Sequence, residues 1–402
     1  MARSRVLLCL HFAQELEKFK FIIQKLNAEV VVATDMKPAY SNDERWWNTA
    51  SWANGIEVKN FPLPSRPWYY HLARFIDDYR FFQNLPQSDY YKNRMIPESY
   101  RKYKWVFPFI SWLPLAWLKR LYRPHRYLQD FISEFNPDLV ITSSLAFPPF
   151  HIATELALIA QSKKIPVVCM IHNWDALTTK GKMYPVPDLT FCWNDFHEKE
   201  LVSYHGISKS KIVKVGAFSL EEWFMPRKIT PRDKFCEKYG LDPKKPFVTY
   251  LSSSQSIAGD ELDAVEQVRD VLKDWQFVVR PHPDKLDTLS GIWGIITIPR
   301  SGEAPTDEEA FQLAYDTYIH SAALYAVNTT SMLEAMILGR PVYRISTDSP
   351  DTTDKCLHFQ KLLPLLDGKG YEKIREWLGI GERKPSEVII AVLKVSYPQL
   401  FD

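Results

Sequence analysis

The sequence predicts an α/β protein of two domains, each built on a parallel sheet. Three observations support this prediction. The chain has 402 residues, which is more than one hydrophobic core usually serves. Short apolar strands alternate with helical segments along most of the chain, a pattern typical of parallel sheets. In the second half, polar residues directly follow apolar strands, at the sheet edge where open α/β sheets bind ligands.

The first domain is predicted to span residues 1–217. It opens with a strand, a helix and a strand, at 6–10, 13–26 and 29–33, and a third strand is expected at 56–61. This opening carries no glycine-rich phosphate loop, so it does not predict a dinucleotide site. Further strands are expected at 138–142, 165–171, 188–193 and 211–216, and helices at 150–162 and 195–204. We expect His197 and His205 at the surface of that last helix.

An aromatic and basic insert, at about 62–130, interrupts this order. Residues 92–126 carry nine lysines and arginines against one acidic residue, Glu98, and they enclose the stretch WVFPFISWLPLAWL. Basic residues around a tryptophan-rich apolar stretch suit peripheral contact with a membrane or with an acidic, lipid-linked acceptor. A buried helix pair packed on the sheet is the alternative. Nucleic acid is not expected as a partner, because no RNA-binding motif accompanies the aromatic residues.

A polar loop, residues 172–181, follows the strand expected at 165–171. Transfer of a group to a hydroxyl benefits from a general base, and the loop offers Asp175 and His172. Asp175 is preferred because a carboxylate is ionised at neutral pH without special tuning. Lys180 can neutralise a donor phosphate or an acidic acceptor. The structural alternative for Asp175 is an Asx turn within its own loop.

The second domain is predicted to span residues 231–384 and begins with helix 231–239 and strand 247–251. Ser253 and Ser254 lie in a serine-rich turn between that strand and helix 259–272. Such a turn can hold the phosphates of a donor, or it can be a simple helix cap.

The next strand, 276–280, ends in the sequence Arg-Pro-His-Pro. Arg280 offers a fork of hydrogen-bond donors that suits phosphate. His282 can donate a hydrogen bond to a phosphate oxygen or protonate a leaving group. The alternative for His282 is a loop histidine between turn-forming residues.

A later strand, 322–327, breaks at Asn328-Thr329-Thr330-Ser331 and leads into helix 332–338. These side chains can cap the helix, and its free N–H groups and dipole favour an anion. Glu334 lies one turn into the helix, where a carboxylate suits a ribose diol better than a phosphate. An ordinary capped βαβ unit is the alternative.

The sequence RPHP followed by NTTSMLEAMILGRPV resembles the carboxyl half of GT-B glycosyltransferases. It is most similar to the His-Pro motif branch, which includes bacterial sialyltransferases, Kdo transferases and CDP-glycerol glycerophosphotransferases. The resemblance implies two Rossmann-like domains facing across a cleft, with His282 and Thr329-Thr330-Ser331 holding the donor phosphates. Trp174, Leu177 and Gly181 correspond in kind to an acceptor loop of the CDP-glycerol enzymes. UDP-sugar transferases and UDP-N-acetylglucosamine 2-epimerases share the strand, helix and glutamate pattern, so the donor base stays open.

We therefore expect a metal-independent GT-B glycosyltransferase. It would move a sugar from a CMP- or CDP-linked donor to a hydroxyl of a surface polysaccharide or glycolipid. The alternatives are a UDP-sugar-dependent transferase, a 2-epimerase-like isomerase and a non-catalytic nucleotide-sugar-binding subunit. No cofactor or metal is expected, because the sequence has no Asp-x-Asp motif. Residues 385–402 are expected to form a helix that packs back on the first domain, as the last helices of GT-B folds do.

Composition adds limits on partners and location. The net charge of +2 argues against a dedicated nucleic-acid binder. The five cysteines are scattered without metal-ligand spacing, which indicates reduced thiols in the cytoplasm. No stretch reaches the ~20 apolar residues that a membrane helix needs. The expected location is the cytoplasm, with the insert in contact with the inner face of the membrane.

Overall fold

The structure is a computed structural model that describes residues 3–11, 13–35, 53, 55–62, 65–86, 105–112, 114–143, 145, 151–254, 258–259, 261–282, 295–299, 308–346 and 356–401. The chain divides into two compact units. The first takes the described residues up to Ser219 and again from Leu378, and the second takes Leu220–Trp377. Each unit contains one sheet of parallel strands, so the predicted α/β fold class is confirmed.

The sheet of the first unit has seven strands, β1 (Ser4–Cys9), β2 (Ala28–Thr34), β3 (Glu57–Asn60), β4 (Leu139–Thr142), β5 (Val167–Met170), β6 (Leu189–Cys192) and β7 (Ile212–Lys214). Their order across the sheet is β3-β2-β1-β4-β5-β6-β7. The central strands are buried on both faces, which explains their continuous apolar sequences. The chain extends the sheet first on one side of β1 and then on the other. The topological switch point therefore lies between β1 and β4.

Helices cover this sheet, and the described ones are α1 (Lys20–Ile23), α2 (Trp68–Asn84), α3 (Phe107–Trp112), α4 (Arg126–Phe135), α5 (Ile152–Ser162), α6 (Ala176–Thr179) and α7 (Asp195–Ser203). The single helix predicted at 13–26 is a 3-10 helix, Ala13–Phe19, continued by the short α1. The tighter winding places Glu15 next to the end of β1, where its Oε2 accepts the His11 backbone N–H at 3.0 Å.

The aromatic and basic insert has an inner and an outer part. Inside, α2 buries nine of its side chains, and the following 3-10 helix, Leu115–Leu121, lies against it with Lys119 bonded to Asp77. Outside, Trp105 is 67% exposed and Trp112 is 87% exposed. A buried helix pair therefore accounts for α2 but not for these tryptophans. Several basic residues of the predicted segment lie outside the described part of the chain: Lys92, Arg94, Arg101, Lys102 and Lys104.

The second unit is built on five parallel strands, β8 (Phe247–Leu251), β9 (Gln276–Arg280), β10 (Ile296–Thr297), β11 (Leu324–Ala326) and β12 (Val342–Arg344), in the order β10-β9-β8-β11-β12. Its described helices are α8 (Arg232–Tyr239), α9 (Leu262–Val271), α10 (Glu308–His320), α11 (Ser331–Ile337), α12 (Leu357–Leu362) and α13 (Ile374–Trp377). β8 and β9 carry most of the apolar core beneath α9. Pro283 and residues 255–257 of the serine-rich turn lie outside the described residues.

After the second unit the chain rejoins the first, where the Ala217 N–H donates to the Leu378 carbonyl at 3.0 Å. Gly379 follows with φ +70°, and a Cβ there would lie 2.3 Å from the Trp193 carbonyl oxygen, so only glycine fits. The last helix, α14 (Pro385–Ser396), packs against α1. All five cysteines are buried. None of the described helices is both long enough and apolar enough to cross a membrane.

Candidate functional site

In the first unit, four neighbouring strands present polar side chains where they end. Asp35 follows β2, His11 follows β1, Ser143 follows β4 and His172 follows β5. Because these strands are adjacent and parallel, the four residues lie along one edge of the sheet, at the switch point. This is the place where open α/β sheets bind ligands.

A buried Glu15–His172 pair occupies the middle of this edge. Glu15 Oε1 lies 3.3 Å from His172 Nε2, and Glu15 Oε2 accepts the Ser143 hydroxyl at 3.1 Å. His172 Nδ1 lies 3.0 Å from the Ser143 carbonyl oxygen. A carbonyl oxygen only accepts hydrogen bonds, so His172 Nδ1 carries a proton. A hydrogen bond between His172 Nε2 and Glu15 needs a second proton, on one of these two groups. The pair can therefore hold one exchangeable proton.

The electrostatics of the pair favour an ionised carboxylate. Burial by itself would raise the pKa of Glu15. The neighbouring His172 charge and their hydrogen bond more than offset this, so the pKa of Glu15 is held well below its ordinary value. An ionised carboxylate against an imidazole is the arrangement that general acid–base catalysis uses.

Beside this pair lies a second group, His11, Asp35 and His151. His151 Nδ1 is 3.1 Å from Asp35 Oδ2, His11 Nδ1 is 3.8 Å from Asp35 Oδ1, and the two imidazole rings are perpendicular at 4.0 Å between centroids. The Ile152 N–H donates to Asp35 Oδ2 at 2.7 Å. Burial raises the pKa of Asp35, but the hydrogen bonds from His11 and His151 outweigh it and lower that pKa to about 2. Burial also lowers the pKa of His11, against the opposing effect of Asp35.

The loop after β5 carries the predicted base, Asp175, and the predicted acceptor residues, Trp174 and Lys180. Asp175 lies half-buried at the N-cap of α6, where its side chain makes no capping hydrogen bond, and its Oδ2 accepts the Thr179 hydroxyl at 3.0 Å. Trp174 is only 5% exposed, so its indole is packed inside the unit, and its contact with an acceptor stays a prediction. Lys180 is half-buried at the end of α6.

Two histidines predicted at a helix surface are buried instead. His197 contacts the Trp174 carbonyl at 3.3 Å. His205 accepts the Met183 N–H at 3.1 Å through Nδ1 and lies 2.8 Å from the Leu177 carbonyl through Nε2. Both rings therefore hold the loop that follows β5. The surface prediction was wrong because the helix is covered by this loop, which helical periodicity does not reveal.

In the second unit, the serine-rich turn is filled by the chain's own carboxylate. Glu261 accepts the Ser252 hydroxyl at 2.7 Å, the Ser253 N–H at 3.0 Å and the Tyr250 hydroxyl at 3.1 Å. The Ser253 hydroxyl accepts the Asn328 N–H at 3.2 Å, and the Ser254 carbonyl accepts the Ala258 N–H. The turn does bind an anion, as its sequence suggests. That anion is Glu261, to which the Ser253 N–H donates, and the donor-binding role of Ser253 and Ser254 stays a prediction.

Three of the predicted donor-site residues meet around one tyrosine of α10. The Tyr318 hydroxyl donates to Glu334 Oε2 at 3.3 Å and is also hydrogen-bonded to the Ser331 side chain. The Arg280 guanidinium lies 5.8 Å from the centre of the Tyr318 ring. Burial raises the pKa of Tyr318, the Arg280 charge opposes this, and Glu334 raises it further, so the hydroxyl stays protonated and donates. A cation, a hydroxyl and a carboxylate thus lie together at the carboxyl edge of the second sheet.

The other predicted donor-site residues lie in the adjoining loops of the second unit. Thr329 and Thr330 are half-buried between β11 and α11, and Thr330 has helical angles, φ −60° and ψ −28°, which a capping residue does not usually adopt. Since α11 has only seven residues, its dipole contributes less than the sequence suggested. His282 is half-buried two residues after β9.

Sequence reasoning missed His11, Glu15, Asp35 and His151 in the first unit, and Glu261 and Tyr318 in the second. A signal was present for His11 and Asp35, because each closely follows a predicted apolar strand, as Arg280 and Asn328 do. Glu15, Tyr318 and Glu261 lie inside or just before helical segments and carry no such signal.

No protein-family model matches the chain. A lipid-A-disaccharide synthase from Koribacter versatilis (strain Ellin345) is 25% identical over 259 residues, which is 58% of this chain and 59% of that protein. The match therefore spans less than two thirds of that curated relative.

Solved structures match over nearly the whole chain. A UDP-GlcNAc 2-epimerase from Methanocaldococcus jannaschii, in complex with UDP-GlcNAc and UDP, has a TM-score of 0.57 at 12% identity and covers 98% of this chain and 100% of its own. The Neisseria meningitidis UDP-GlcNAc 2-epimerase, bound to UDP-GlcNAc, has a TM-score of 0.54 at 14% identity, with 97% and 99% covered. A glycosyltransferase from Rickettsia africae ESF-5 has a TM-score of 0.50 at 12% identity, with 98% and 99% covered.

These similarities show that the chain has a GT-B-type fold shared with nucleotide-sugar epimerases and glycosyltransferases. They do not support the cytidine-linked donor that the His-Pro motif suggested, because the nucleotides named in these neighbours are uridine nucleotides.

Proposed function

We propose that this chain is a glycosyltransferase that takes a sugar from a UDP-linked donor and transfers it to a hydroxyl of a lipid-linked acceptor. The observation that carries the proposal is the group of Arg280, Ser331 and Glu334 around Tyr318 at the carboxyl edge of the second sheet. The similarity to UDP-bound structures and to a lipid-A-disaccharide synthase supports the choice of nucleotide and of reaction.

The donor site follows from the chemistry of these residues. A guanidinium held rigidly at a strand end suits a diphosphate, since its planar donors match two phosphate oxygens. The Ser331 hydroxyl can add a neutral hydrogen bond to the same group. Glu334 accepts hydrogen bonds, so it suits the two hydroxyls of a ribose. Donor binding of this kind requires no metal at the diphosphate.

The acceptor site follows from the first unit. Glu15 and His172 hold one exchangeable proton at the switch point of the first sheet. Both imidazole nitrogens of His172 are engaged within the site, so the Glu15 carboxylate is the group of this pair that can accept the proton of an attacking hydroxyl and share it with His172 Nε2. We assign the base to this pair in preference to Asp175, whose carboxylate bonds the Thr179 hydroxyl of its own loop.

The exposed aromatic side chains of the insert support a lipid-linked acceptor. Trp105, Phe109, Trp112 and Trp117 are each at least half exposed, and Arg120, Arg123 and Arg126 are exposed nearby. Tryptophan side chains beside basic ones favour the headgroup region of an anionic bilayer. The insert would then hold the enzyme at the inner face of a membrane. Replacing Trp105 and Trp112 with serine is expected to reduce sedimentation with anionic vesicles and leave UDP binding unchanged.

The test of the donor assignment is a thermal-shift comparison of UDP, UMP, CDP, CMP, GDP and ADP, since a ligand that binds only the folded chain raises its melting temperature. We expect the largest shift with UDP, and its loss in Glu334→Gln but not in Glu309→Gln, an exposed carboxylate of α10. Stabilisation by cytidine nucleotides alone would contradict a UDP-linked donor and return the chain to the His-Pro branch.

A second candidate is a UDP-N-acetylglucosamine 2-epimerase activity, favoured by the several titratable groups at the first sheet edge. An epimerase moves a proton at a sugar carbon and needs no acceptor. Incubation with UDP-GlcNAc alone separates the two: conversion to a different UDP-sugar supports the epimerase, whereas UDP release that depends on an added acceptor supports the transferase.

A further inference from the structure

His11, Asp35 and His151 come from three separate segments of the first unit and converge on one point. His11 follows β1, Asp35 follows β2, and His151 directly precedes α5. Each offers one ligand atom, and these three atoms lie within 4.8 Å of one another. Two imidazoles and a carboxylate are the ligands that zinc commonly takes in proteins.

The distances within the group are close to those around a shared metal ion. Ligands at about 2.0–2.1 Å from a tetrahedral zinc ion lie about 3.3–3.4 Å from one another. With Asp35 Oδ1 as the ligand atom, its separations are 3.4 Å to His151 Nδ1 and 3.8 Å to His11 Nδ1, the first at that value and the second about 0.4 Å above it. Small side-chain rotations therefore suffice to place an ion between them.

The surroundings orient the ligands as metal sites require. The Ile152 N–H donates to Asp35 Oδ2 at 2.7 Å and fixes the carboxylate. Arg66 donates to the His151 carbonyl at 3.3 Å and holds that segment. The Asp35 side chain is fully enclosed, whereas those of His11 and His151 are each 13% exposed, so the group is enclosed but accessible from one side. Hydrogen bonds that orient the ligands in this way strengthen metal binding.

Charge also favours a cation at this point. A buried carboxylate facing two imidazoles leaves one negative charge that the protein must compensate. Protonation of an imidazole is one way to compensate it, and a divalent cation is another. The two are exclusive, because a ring nitrogen that binds a metal cannot also carry a proton.

We propose that His11, Asp35 and His151 form a binding site for one zinc ion, with its remaining coordination position open to the oxygen of a water molecule or a hydroxyl. The site lies in the first unit, apart from the residues assigned to the donor diphosphate. It is independent of the proposed function, since an enzyme of either candidate activity, or a binding subunit, can carry it.

The test uses the full chain, stripped with a chelator, dialysed, and titrated with Zn²⁺ and with Co²⁺ as a visible probe. We expect one equivalent bound, and absorption of bound Co²⁺ in the visible range that indicates a four-coordinate site. His151→Gln is expected to weaken zinc binding by at least about 100-fold, because even loss of an orienting partner costs about 10–100-fold. His125→Gln, a histidine of the same unit outside the group, is the control and keeps wild-type affinity.

A cysteine variant separates loss of a ligand from loss of the fold. His151→Cys keeps a zinc ligand at the position, so it should bind Co²⁺ and show a thiolate-to-cobalt charge-transfer band that the wild-type chain lacks. The proposal is overturned if the wild-type chain binds no zinc, if His151→Gln binds it as tightly as wild type, or if His151→Cys shows no such band. The measurement involves no nucleotide, so failure of the donor assignment does not affect it.

Discussion

The carboxyl edges of the two sheets differ in the chemistry of their side chains. The edge of the first sheet presents His11, Glu15, Asp35, His151 and His172, all of which can gain or lose a proton or bind a metal. At the edge of the second, the Arg280 guanidinium, hydroxyl groups and the Glu334 carboxylate are the groups that we propose to bind a ligand, and a further carboxylate, Glu261, is held by the serine-rich turn. We propose that the two sheets have different tasks, with proton transfer in the first unit and ligand binding in the second.

Removing the Glu15 carboxylate tests the proposed difference between the two edges most directly. Glu15→Gln keeps the size of the side chain but no longer supports a shared proton with His172, so turnover is expected to fall by about 10²–10⁴-fold. UDP affinity should stay unchanged, because Glu15 belongs to the first unit. Steady-state kinetics and calorimetric titration with UDP measure the two effects separately. A Glu15→Gln variant with normal turnover and weakened UDP binding would reverse the assignment of tasks.

The loop behind the first edge should respond to acid. Burial lowers the pKa of His205 from 6.5 to about 4, so the unfolded chain binds this proton at a higher pH than the folded chain does. The contribution of His205 to stability is therefore fully present above pH 6.5 and is lost as the pH falls towards 4. The difference between the pKa of His205 in the unfolded and in the folded chain corresponds to roughly 3 kcal/mol of unfolding free energy.

Urea unfolding at several pH values tests this. His205→Asn is expected to be less stable than wild type at pH ~7.5 but to lose less stability on acidification, because its side chain takes up no proton. Ser203→Ala, an exposed neighbour on the same helix, should keep the wild-type pH profile. Parallel profiles for wild type and His205→Asn would show that another group causes the acid sensitivity.

On the second edge, the expected effects are on binding and not on chemistry. Glu334→Gln and Ser331→Ala each remove one hydrogen-bonding partner of the ligand and of Tyr318, so UDP affinity should fall by roughly 10- to 100-fold. The turnover number at saturating donor should change far less than in Glu15→Gln. A fall in turnover at saturation with normal UDP affinity would give the second edge a chemical role and remove the contrast between the two edges.

The positions of most strands could be predicted from the sequence, because a parallel sheet buried on both faces requires short continuous apolar runs, such as those of β5 and β8. The residues proposed for the donor site, Arg280, Ser331 and Glu334, could be singled out in the sequence because each lies at the end of such a run or soon after it. The grouping at the first edge could not be predicted, because His11, Asp35 and His151 meet only when the order of the strands is known. Strand order depends on contacts between distant segments, which local patterns do not encode.

Burial was the other property that local patterns left undetermined. Trp174, His197 and His205 lie on segments of ordinary loop or helix character, and their burial depends on the loop after β5 folding over α7. The serine-rich turn shows the same limit. Its sequence predicts an anion, but only the fold shows that Glu261 supplies it.

That carboxylate offers the smallest predicted effect and sharpens the description of the second edge. If Glu261 is a structural anion, Glu261→Gln weakens the hydrogen bonds to Ser252, Ser253 and Tyr250. Hydrogen bonds to a charged group are each worth about 1.5–3 kcal/mol, and the amide retains part of them. The unfolding free energy is therefore expected to fall by about 2 kcal/mol. UDP affinity should be unchanged, because the turn is already filled. Glu266 is an exposed carboxylate of α9, the helix that Glu261 precedes. Glu266→Gln should leave the unfolding free energy and the UDP affinity at their wild-type values. Tighter binding of UDP by Glu261→Gln would instead mean that Glu261 competes with a donor phosphate for the Ser253 N–H, and the serine-rich turn would rejoin the donor site.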